Sequence, residues 1–394
     1  MRIAIILPLL TARTGPQRFV SDFANALRER GHEVFVYSVF YTPESTFESL
    51  KSVNVVEASR VARSLRALAY KFLSSYQRRY GKLGVYIWGI PLSAFITPIL
   101  SILAAIKHRP DVIFVNSGTL FMGIVKLLVR MMVRKNIKVV VYYHGFLETQ
   151  AKTFLARILR PIEKFTLLNC IFLTNSKYMA RQFLQSIGVM PVVFNIGIDV
   201  KWFSSIERRD EGRTLLYVGR IAPYRKQHFL LKVLKYLESK GIECRLILAG
   251  SLSLSDMNYY KELLKEVKNL GLEEKVIIAN ISGDDDLLKL YSKATVYVDP
   301  MEETYGINIL EALAAGLPVV TCRKGGQLDI VRNGVEGLLV SDDIEEWAKA
   351  IQTLLSNEEL YYMMSEAARL RAREFSWERV VRKFELLVEQ YTRK

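Results

Sequence analysis

Glu303 and Glu311 stand eight positions apart in ETYGINILEALAAG, with Gly306 between them and an apolar helix former behind. Far upstream, LLYVGRIAPYRKQHFLLKVL places Arg220 and Lys226 in the loop between a β-rich run and a helical one. Arg offers a planar fork of donors and Lys a point charge, a pair suited to a diphosphate. A carboxylate repels phosphate, but it accepts hydrogen bonds from hydroxyls, and a vicinal diol suits its two oxygens. Asp299-Pro300 ends a strand-like run and the helix is expected to begin near Gly306, so its N–H groups and dipole also favour an anion. Glu303 then lies in a loop and Glu311 near the second helical turn. The combination predicts a ligand with a diphosphate in the middle and hydroxyl-rich sugars at both ends, a nucleotide-sugar. Plainer readings stand beside it. Glu303 could compensate a helix dipole, Glu311 could be a surface helix residue, and Arg220 and Lys226 could be solvated loop cations.

These residues need a scaffold, and the pattern supplies one. Short β-rich apolar runs alternate with amphipathic helical runs, the mark of an α/β fold with parallel sheets. In the first half strands are expected at Ile3–Leu7, Glu33–Tyr37, Asp111–Val115, Lys138–Tyr143 and Cys170–Thr174. Helices are expected near 17–30, 59–80, 90–107, 119–135, 151–168 and 177–187. A second series follows at Arg213–Val218, Arg245–Ala249, Lys275–Ile278, Thr295–Asp299, Pro318–Thr321 and Gly337–Val340, with helices near 226–240, 257–270, 284–292, 307–315 and 343–356. The polar stretch FNIGIDVKWFSSIERRDEGR lacks helical period and reads as a linker. Two doubly wound domains facing a cleft are expected: residues 1–196, a linker at 197–212, residues 213–375, and a terminal helix at 376–394 that returns to the first domain. Ligands of such sheets sit at the carboxyl ends of strands. There Gly15, in LLTARTGPQRF, would let backbone approach a phosphate or sugar.

Charge separates the two halves. Residues 1–200 hold 26 basic against 10 acidic side chains, and the remainder 29 against 30, so the whole excess of +15 belongs to the first half. From Ala58 to Lys135 there are 13 basic residues and one acid, Asp111. Such a face attracts polyanions, either nucleic acid or anionic lipid. Between Lys82 and Lys107 lie 24 uncharged residues, long enough to cross a bilayer. A single crossing would put strands of one sheet on opposite sides of the membrane, and Pro91 and Pro98 interrupt a straight helix. A surface element in the 58–107 insertion, dipping into an anionic membrane, is therefore expected; a buried helix is the alternative. No nucleic-acid motif accompanies the charge. Cys170, Cys244 and Cys322 suit neither zinc nor a disulfide framework and read as buried thiols. Asp284-Asp285-Asp286 opens an expected helix and reads as capping rather than as a metal site. His32 reads as a helix-end residue, and His108 and His228 show no partner in sequence.

The motifs resemble a known family in the same order over nearly the whole chain. Glu303 to Glu311 with Gly306 looks like the E-x7-E motif of the GT-B-fold retaining glycosyltransferases of family 4. VGRIAPYRK resembles that family's diphosphate clamp, TGPQRFVSDFANALRERGHEV its first turn and helix, and NSKYMARQF with VVFNIGIDVKWF its interdomain strand and linker. AAGLPVV and FSWERVV fit as well. The GPQR turn, FYTPE and the basic insertion are most similar to dolichol-pathway α-1,3/1,6-mannosyltransferases and their archaeal relatives. The resemblance implies a hexosyltransferase using a nucleotide-sugar such as GDP-mannose or a UDP-sugar, without a metal cofactor. It also implies a polyprenyl- or dolichyl-linked glycan acceptor at the cytoplasmic face of a membrane, and no nucleic-acid partner. Gly15 would approach the donor, and His144 would contact its sugar. Arg220 and Lys226 would neutralise the leaving diphosphate. Glu303 would hold sugar hydroxyls and Glu311 the ribose, with Tyr305, Gly306, Ile307 and Asn308 lining the donor between them. Thr14-Gly15 stands where the family usually has Gly-Gly. An epimerase on the same fold and a non-catalytic sugar-nucleotide binder remain as alternatives.

Overall fold

The computed structural model describes residues 1–10, 15–38, 40–41, 54–57, 96–116, 121–133, 135–144, 154–206, 212–250, 252, 256–281 and 283–391. They form two compact units, Met1–Gly197 with Trp377–Lys394, and Ile198–Ser376.

Unit 1 is built on a seven-stranded parallel sheet. Its strands are β1 (Arg2–Ile6), β3 (Glu33–Ser38), β5 (Asn54–Glu57), β6 (Val112–Val115), β7 (Lys138–Tyr143), β8 (Ile171–Thr174) and β9 (Val192–Val193), in the order β5-β3-β1-β6-β7-β8-β9. A separate pair, β2 (Leu9–Leu10) and β4 (Phe40–Tyr41), runs alongside. The central strands are nearly continuous apolar runs because helices cover both faces. Those helices are α1 (Gly15–Glu29), α2 (96–108), α3 (Met122–Val133), α4 (Phe154–Asn169) and α5 (Lys177–Ile187). Helix α5 starts where Ser176 Oγ accepts from Met179 N–H, and it stops at Gly188, whose φ of 72° suits a residue without Cβ.

Unit 2 starts with α6 (Val200–Ser204) and carries six parallel strands: β10 (Thr214–Val218), β11 (Arg245–Ala249), β12 (Val276–Ala279), β13 (Val296–Asp299), β14 (Val319–Cys322) and β15 (Gly337–Val340). Their order is β12-β11-β10-β13-β14-β15. Helices α7 (Gln227–Ser239), α8 (Met257–Asn269), α9 (Asp284–Lys293), α10 (Ile307–Ala314), α11 (Ile344–Ser356) and α12 (Glu358–Arg373) complete it. The chain then returns to unit 1 as α13 (Trp377–Gln390), which buries Val381, Phe384 and Val388. Phe384 stands edge-on to Phe23 of α1 at 5.2 Å, and Trp377 fills the space beside Gly197, where a Cβ would come within 2.5 Å of its ring.

Expectation and structure part company in four places. The expected linker at 197–212 is not free of structure: Asp199 caps α6 by accepting from Trp202 N–H, and Phe203 is buried edge-on to Tyr291. Helix α12 was not anticipated between 356 and 376; Asn357 caps it by accepting from Leu360 N–H. Strand β5 at one sheet edge was also unforeseen, whereas β9 falls in the VVF strand that the resemblance implied. In the insertion, the expected helix near 90–107 is present as α2, and its Ile96, Leu100, Ala104 and Ala105 belong to the core of unit 1. That part of the insertion is a half-buried helix. The expected helix 59–80 and residues 58–95 lie outside the described residues. Among the described residues no helix is long and apolar enough to cross a membrane. Cys170, Cys244 and Cys322 are free and buried.

Candidate functional site

In unit 2 the loops after the adjacent strands β10 and β13 converge. After Val218 the chain passes Gly219 and Gly250 at such close range that a Cβ on Gly250 would lie 1.8 Å from the Gly219 carbonyl oxygen. Only glycine fits there, so the backbone carrying Arg220 is fixed by contact with its neighbour. Gln227 Nε2 donates to the Arg220 carbonyl at 2.8 Å. The Arg220 side chain is exposed. A 3-10 turn at Pro223–Arg225 follows, and Lys226 then adopts φ 57°, ψ 30°, a left-handed conformation that a side chain makes costly.

That strained corner sends two neighbouring cations in different directions. Lys226 Nζ lies 3.1 Å from Asp342 Oδ1, and Lys324 lies 3.8 Å from the same carboxylate. Arg225 turns inward and pairs with Glu303 through Nη1 and Oε1, with only 21% and 14% of the two side chains exposed. Burial works against the Arg225 charge, but the paired Glu303 carboxylate holds the guanidinium protonated. Asp299, at the end of β13, is buried; burial, then the Glu303 charge, push its pKa well above the carboxylate range. Glu303 is therefore the carboxylate that Arg225 serves.

The Glu303 loop is braced from behind. Gly326 N–H donates to the Glu303 carbonyl at 2.6 Å, and the Glu303 N–H donates to Gln327 Oε1 at 3.1 Å. Gln327 Nε2 donates to the Met301 carbonyl at 2.9 Å. A Cβ on Gly326 would come within 2.2 Å of the Thr304 carbonyl oxygen, so the Gly325-Gly326 pair is what lets this loop seat. Gly306, at φ 107°, opens α10, where its carbonyl accepts from Ile309 and Leu310 N–H. Tyr305 is buried and Asn308 Nδ2 donates to the Val218 carbonyl, tying α10 to β10. Ile307 is half-buried in the first turn. Glu311 is buried within α10, and Tyr291 Oη donates to its Oε2 at 3.0 Å. A buried, hydrogen-bonded carboxylate is not the ordinary surface helix residue of the plainer reading.

Unit 1 assembles a second group at the ends of its strands. Gly15 opens α1 and is exposed, with Pro16 in the first turn where its missing N–H costs nothing. Asn116, just past β6, donates from Nδ2 to the Pro16 carbonyl at 3.3 Å. Its Oδ1 then faces His144 Nε2 at 2.6 Å, which fixes that nitrogen as the donor and leaves Nδ1 as an acceptor. Burial pushes the His144 pKa down to about 3, so the ring is neutral. Phe19 and Tyr142 hold it edge-on at 4.9 and 4.6 Å. Asn175 Nδ2 supports the His144 carbonyl, and Asn195 Nδ2 the Asn175 carbonyl.

Within unit 2 the structure thus gathers Arg220, Lys226, Glu303, Tyr305, Gly306, Ile307, Asn308 and Glu311 on neighbouring strand ends. Within unit 1 it gathers Gly15 and His144. Sequence reasoning missed Arg225, although it sits in the same YRK string, and it missed Asp299, Gln327, the Gly325-Gly326 pair and the three asparagines. A polar residue directly after an apolar strand was the signal for Asp299 and Asn116. Set apart from these groups, His32 lies between the chain N-terminus and Glu385, and His228 beside Tyr259 Oη. His108 packs against Phe35 with the two rings tilted.

Comparison with known proteins agrees with this layout. Residues 13–202 match the family described as Glycosyltransferase Family 4, and residues 200–371 match Glycosyl transferases group 1. The human α-1,3/1,6-mannosyltransferase ALG2 is 25% identical over 388 residues, covering 91% of this chain and 89% of that one. A D-inositol 3-phosphate glycosyltransferase of Saccharomonospora viridis is 34% identical over 171 residues, but the match spans 42% of this chain and only 40% of that protein. The structure of Anabaena HepE in complex with UDP superposes with a TM-score of 0.73 at 19% identity, covering 99% of this chain and all of the other. That likeness identifies the GT-B fold. With both halves matched in order from residue 13 to residue 371, the chain belongs to the family 4, group 1 glycosyltransferases.

Proposed function

We propose that the protein transfers a hexose, with mannose the favoured candidate, from a nucleoside-diphosphate sugar to a lipid-linked glycan at the cytoplasmic face of a membrane. The observation that carries this reading is the arrangement on unit 2. A cation with an exposed side chain, a helix N-terminus and two differently held carboxylates share the carboxyl end of two central parallel strands. Arg220, Lys226 and the N-terminus of α10 meet the charge of the departing diphosphate, and no metal is invoked for that task. Glu303, oriented by Arg225, accepts from sugar hydroxyls, and Glu311, held by Tyr291, from the ribose. The neutral His144 ring presents Nδ1 as an acceptor to the donor sugar.

The proposed chemistry retains anomeric configuration. The bond from the anomeric carbon to the diphosphate oxygen breaks, and a bond to the acceptor hydroxyl oxygen forms on the same face. The acceptor proton passes to the leaving phosphate. Similarity to the mannosyltransferase over most of both chains favours mannose. The UDP held by HepE keeps a uridine donor in the screen.

The test incubates the protein with membranes containing polyprenyl-phosphate-linked glycans and labelled GDP- or UDP-sugars. A longer glycolipid is expected, unaffected by EDTA, and Arg220→Ala should cost on the order of 10²–10³ in rate. Full turnover by Arg220→Ala would refute the clamp. Donor isomerisation without acceptor would replace transfer with epimerisation, and a chelator-sensitive rate would overturn the metal-free reading.

A further inference from the structure

Helix α3 carries two apolar stripes. Met122, Val125 and Val129 are sealed in the core of unit 1. On the other side Ile124, Leu127, Leu128 and Met131 follow at helical spacing, joined by Met132, and these five are 42–76% exposed. A lone exposed leucine is ordinary, but these five together present on the order of 500 Å² of apolar surface, near the top of what soluble monomers show. A helix with a second apolar stripe has an apolar setting to find for each of them.

The surroundings extend the face. Gly123 lets α3 seat directly on α4, since a Cβ there would lie 2.9 Å from the Thr166 Cα. On α4, Phe165 and Leu168 are exposed in turn. On α2, which meets α3 through Ser101 and Met122, Ile99, Leu103 and Ile106 are exposed. The charges are of one sign. Helix α3 contains Lys126 and Arg130 and no acid, and Lys164 is exposed on α4, where Glu163 is buried.

We infer that the outer face of α3 is a docking surface for an anionic lipid bilayer. The Ile124–Met132 stripe enters the interface and Arg130 and Lys164 meet headgroups. The biological sense of this rests on the lipid-linked acceptor proposed above, whereas the surface itself is read from exposure and charge. A second copy of the chain fits less well. Two copies docked face to face would oppose like charges.

The test uses the full chain and two kinds of vesicle, phosphatidylcholine alone and phosphatidylcholine with phosphatidylglycerol, without donor or acceptor. Wild type should sediment with the mixed vesicles. Leu127→Gln/Met131→Gln, which keeps helix propensity, should partition about a hundredfold less, and Met131→Gln alone about tenfold less. Arg130→Gln/Lys164→Gln should lose only the preference for anionic lipid. Melting shifts with GDP or UDP should match wild type in each variant, which separates lost docking from lost folding. Vesicle binding by Leu127→Gln/Met131→Gln equal to wild type overturns the inference. So does a wild type that ignores both vesicles, or one that dimerises through α3 in sedimentation velocity. Transfer to a detergent-dispersed acceptor is measured in parallel. Vesicle binding without transfer would sink the proposed activity and leave the docking surface standing; transfer without vesicle binding would do the reverse.

Discussion

Replacing Arg225 by Met keeps the aliphatic stem and deletes the charge that faces Glu303. Breaking a buried ion pair from one side costs 3–5 kcal/mol, because the remaining charge is left unsolvated. Here the two side chains retain 21% and 14% of their exposure, so water relieves part of that loss and about 2–3 kcal/mol is expected. If Glu303 meets the donor sugar, loosening it by that amount lowers kcat/KM by roughly 30- to 150-fold. Urea unfolding reads the stability, and donor-dependent transfer reads the rate. The second arm is a double-mutant cycle with Glu303→Gln. Amide in place of carboxylate strands no charge, so the stability penalty of Arg225→Met should shrink below about 1 kcal/mol in that background. Activity should stay low, and Arg225→Lys should restore part of it in the single variant. Additive stability losses, or an Arg225→Met protein with normal kcat/KM, would refute the idea that Arg225 holds Glu303.

Three further outcomes follow from the geometry. Tyr291→Phe removes the hydroxyl that donates to Glu311; about tenfold weaker nucleoside-diphosphate binding is expected by calorimetry, with kcat little changed. Asn116→Ala frees both His144 and the Pro16 carbonyl at the start of α1, so transfer should slow by about 10- to 100-fold while melting shifts with donor persist. Glu385 ties α13 to Arg30 at 2.7 Å, and that hydrogen bond, set against burial and helped by His32, keeps its pKa below the ordinary value. A depressed carboxylate stabilises the fold above its unfolded pKa and ceases to do so as pH falls through the folded one. Glu385→Gln should therefore lower stability by at most about 1 kcal/mol at pH 7 once solvent screening is allowed for, a gap that closes as the pH falls through the folded pKa of Glu385 in urea titrations.

The sheets were legible because parallel strands buried on both faces leave unbroken apolar runs, as at Ile3–Ile6, Val139–Tyr142 and Leu215–Val218. Edge strands such as Asn54–Glu57 and Val192–Val193 carry no such run. Helix α12 escaped notice because its buried residues, Tyr361, Met364, Ser365, Ala368 and Ala372, include small and polar side chains. At the site, types and spacing pointed to Glu303, Glu311 and Arg220. They did not say which of two adjacent cations, Arg225 or Lys226, would turn toward Glu303. That choice is made by the left-handed backbone at Lys226, a non-glycine position at which sequence gives no warning. Nor did the sequence show that α2 packs on the sheet while α3 leaves its leucines outside, since both helices carry apolar residues on more than one side.

The return of α13 to unit 1 has a consequence for how the molecule is made. A ribosome finishes unit 2 at Ser376 before it has released the last element of the unit it began first. Until Phe384, Leu387 and Val388 emerge, Phe23 and Phe114 lack their cover, and the nascent unit carries an open aromatic seam. Domains usually mature in the order of their synthesis. Here the order is inverted, and an element made after unit 2 closes the core of the unit made before it.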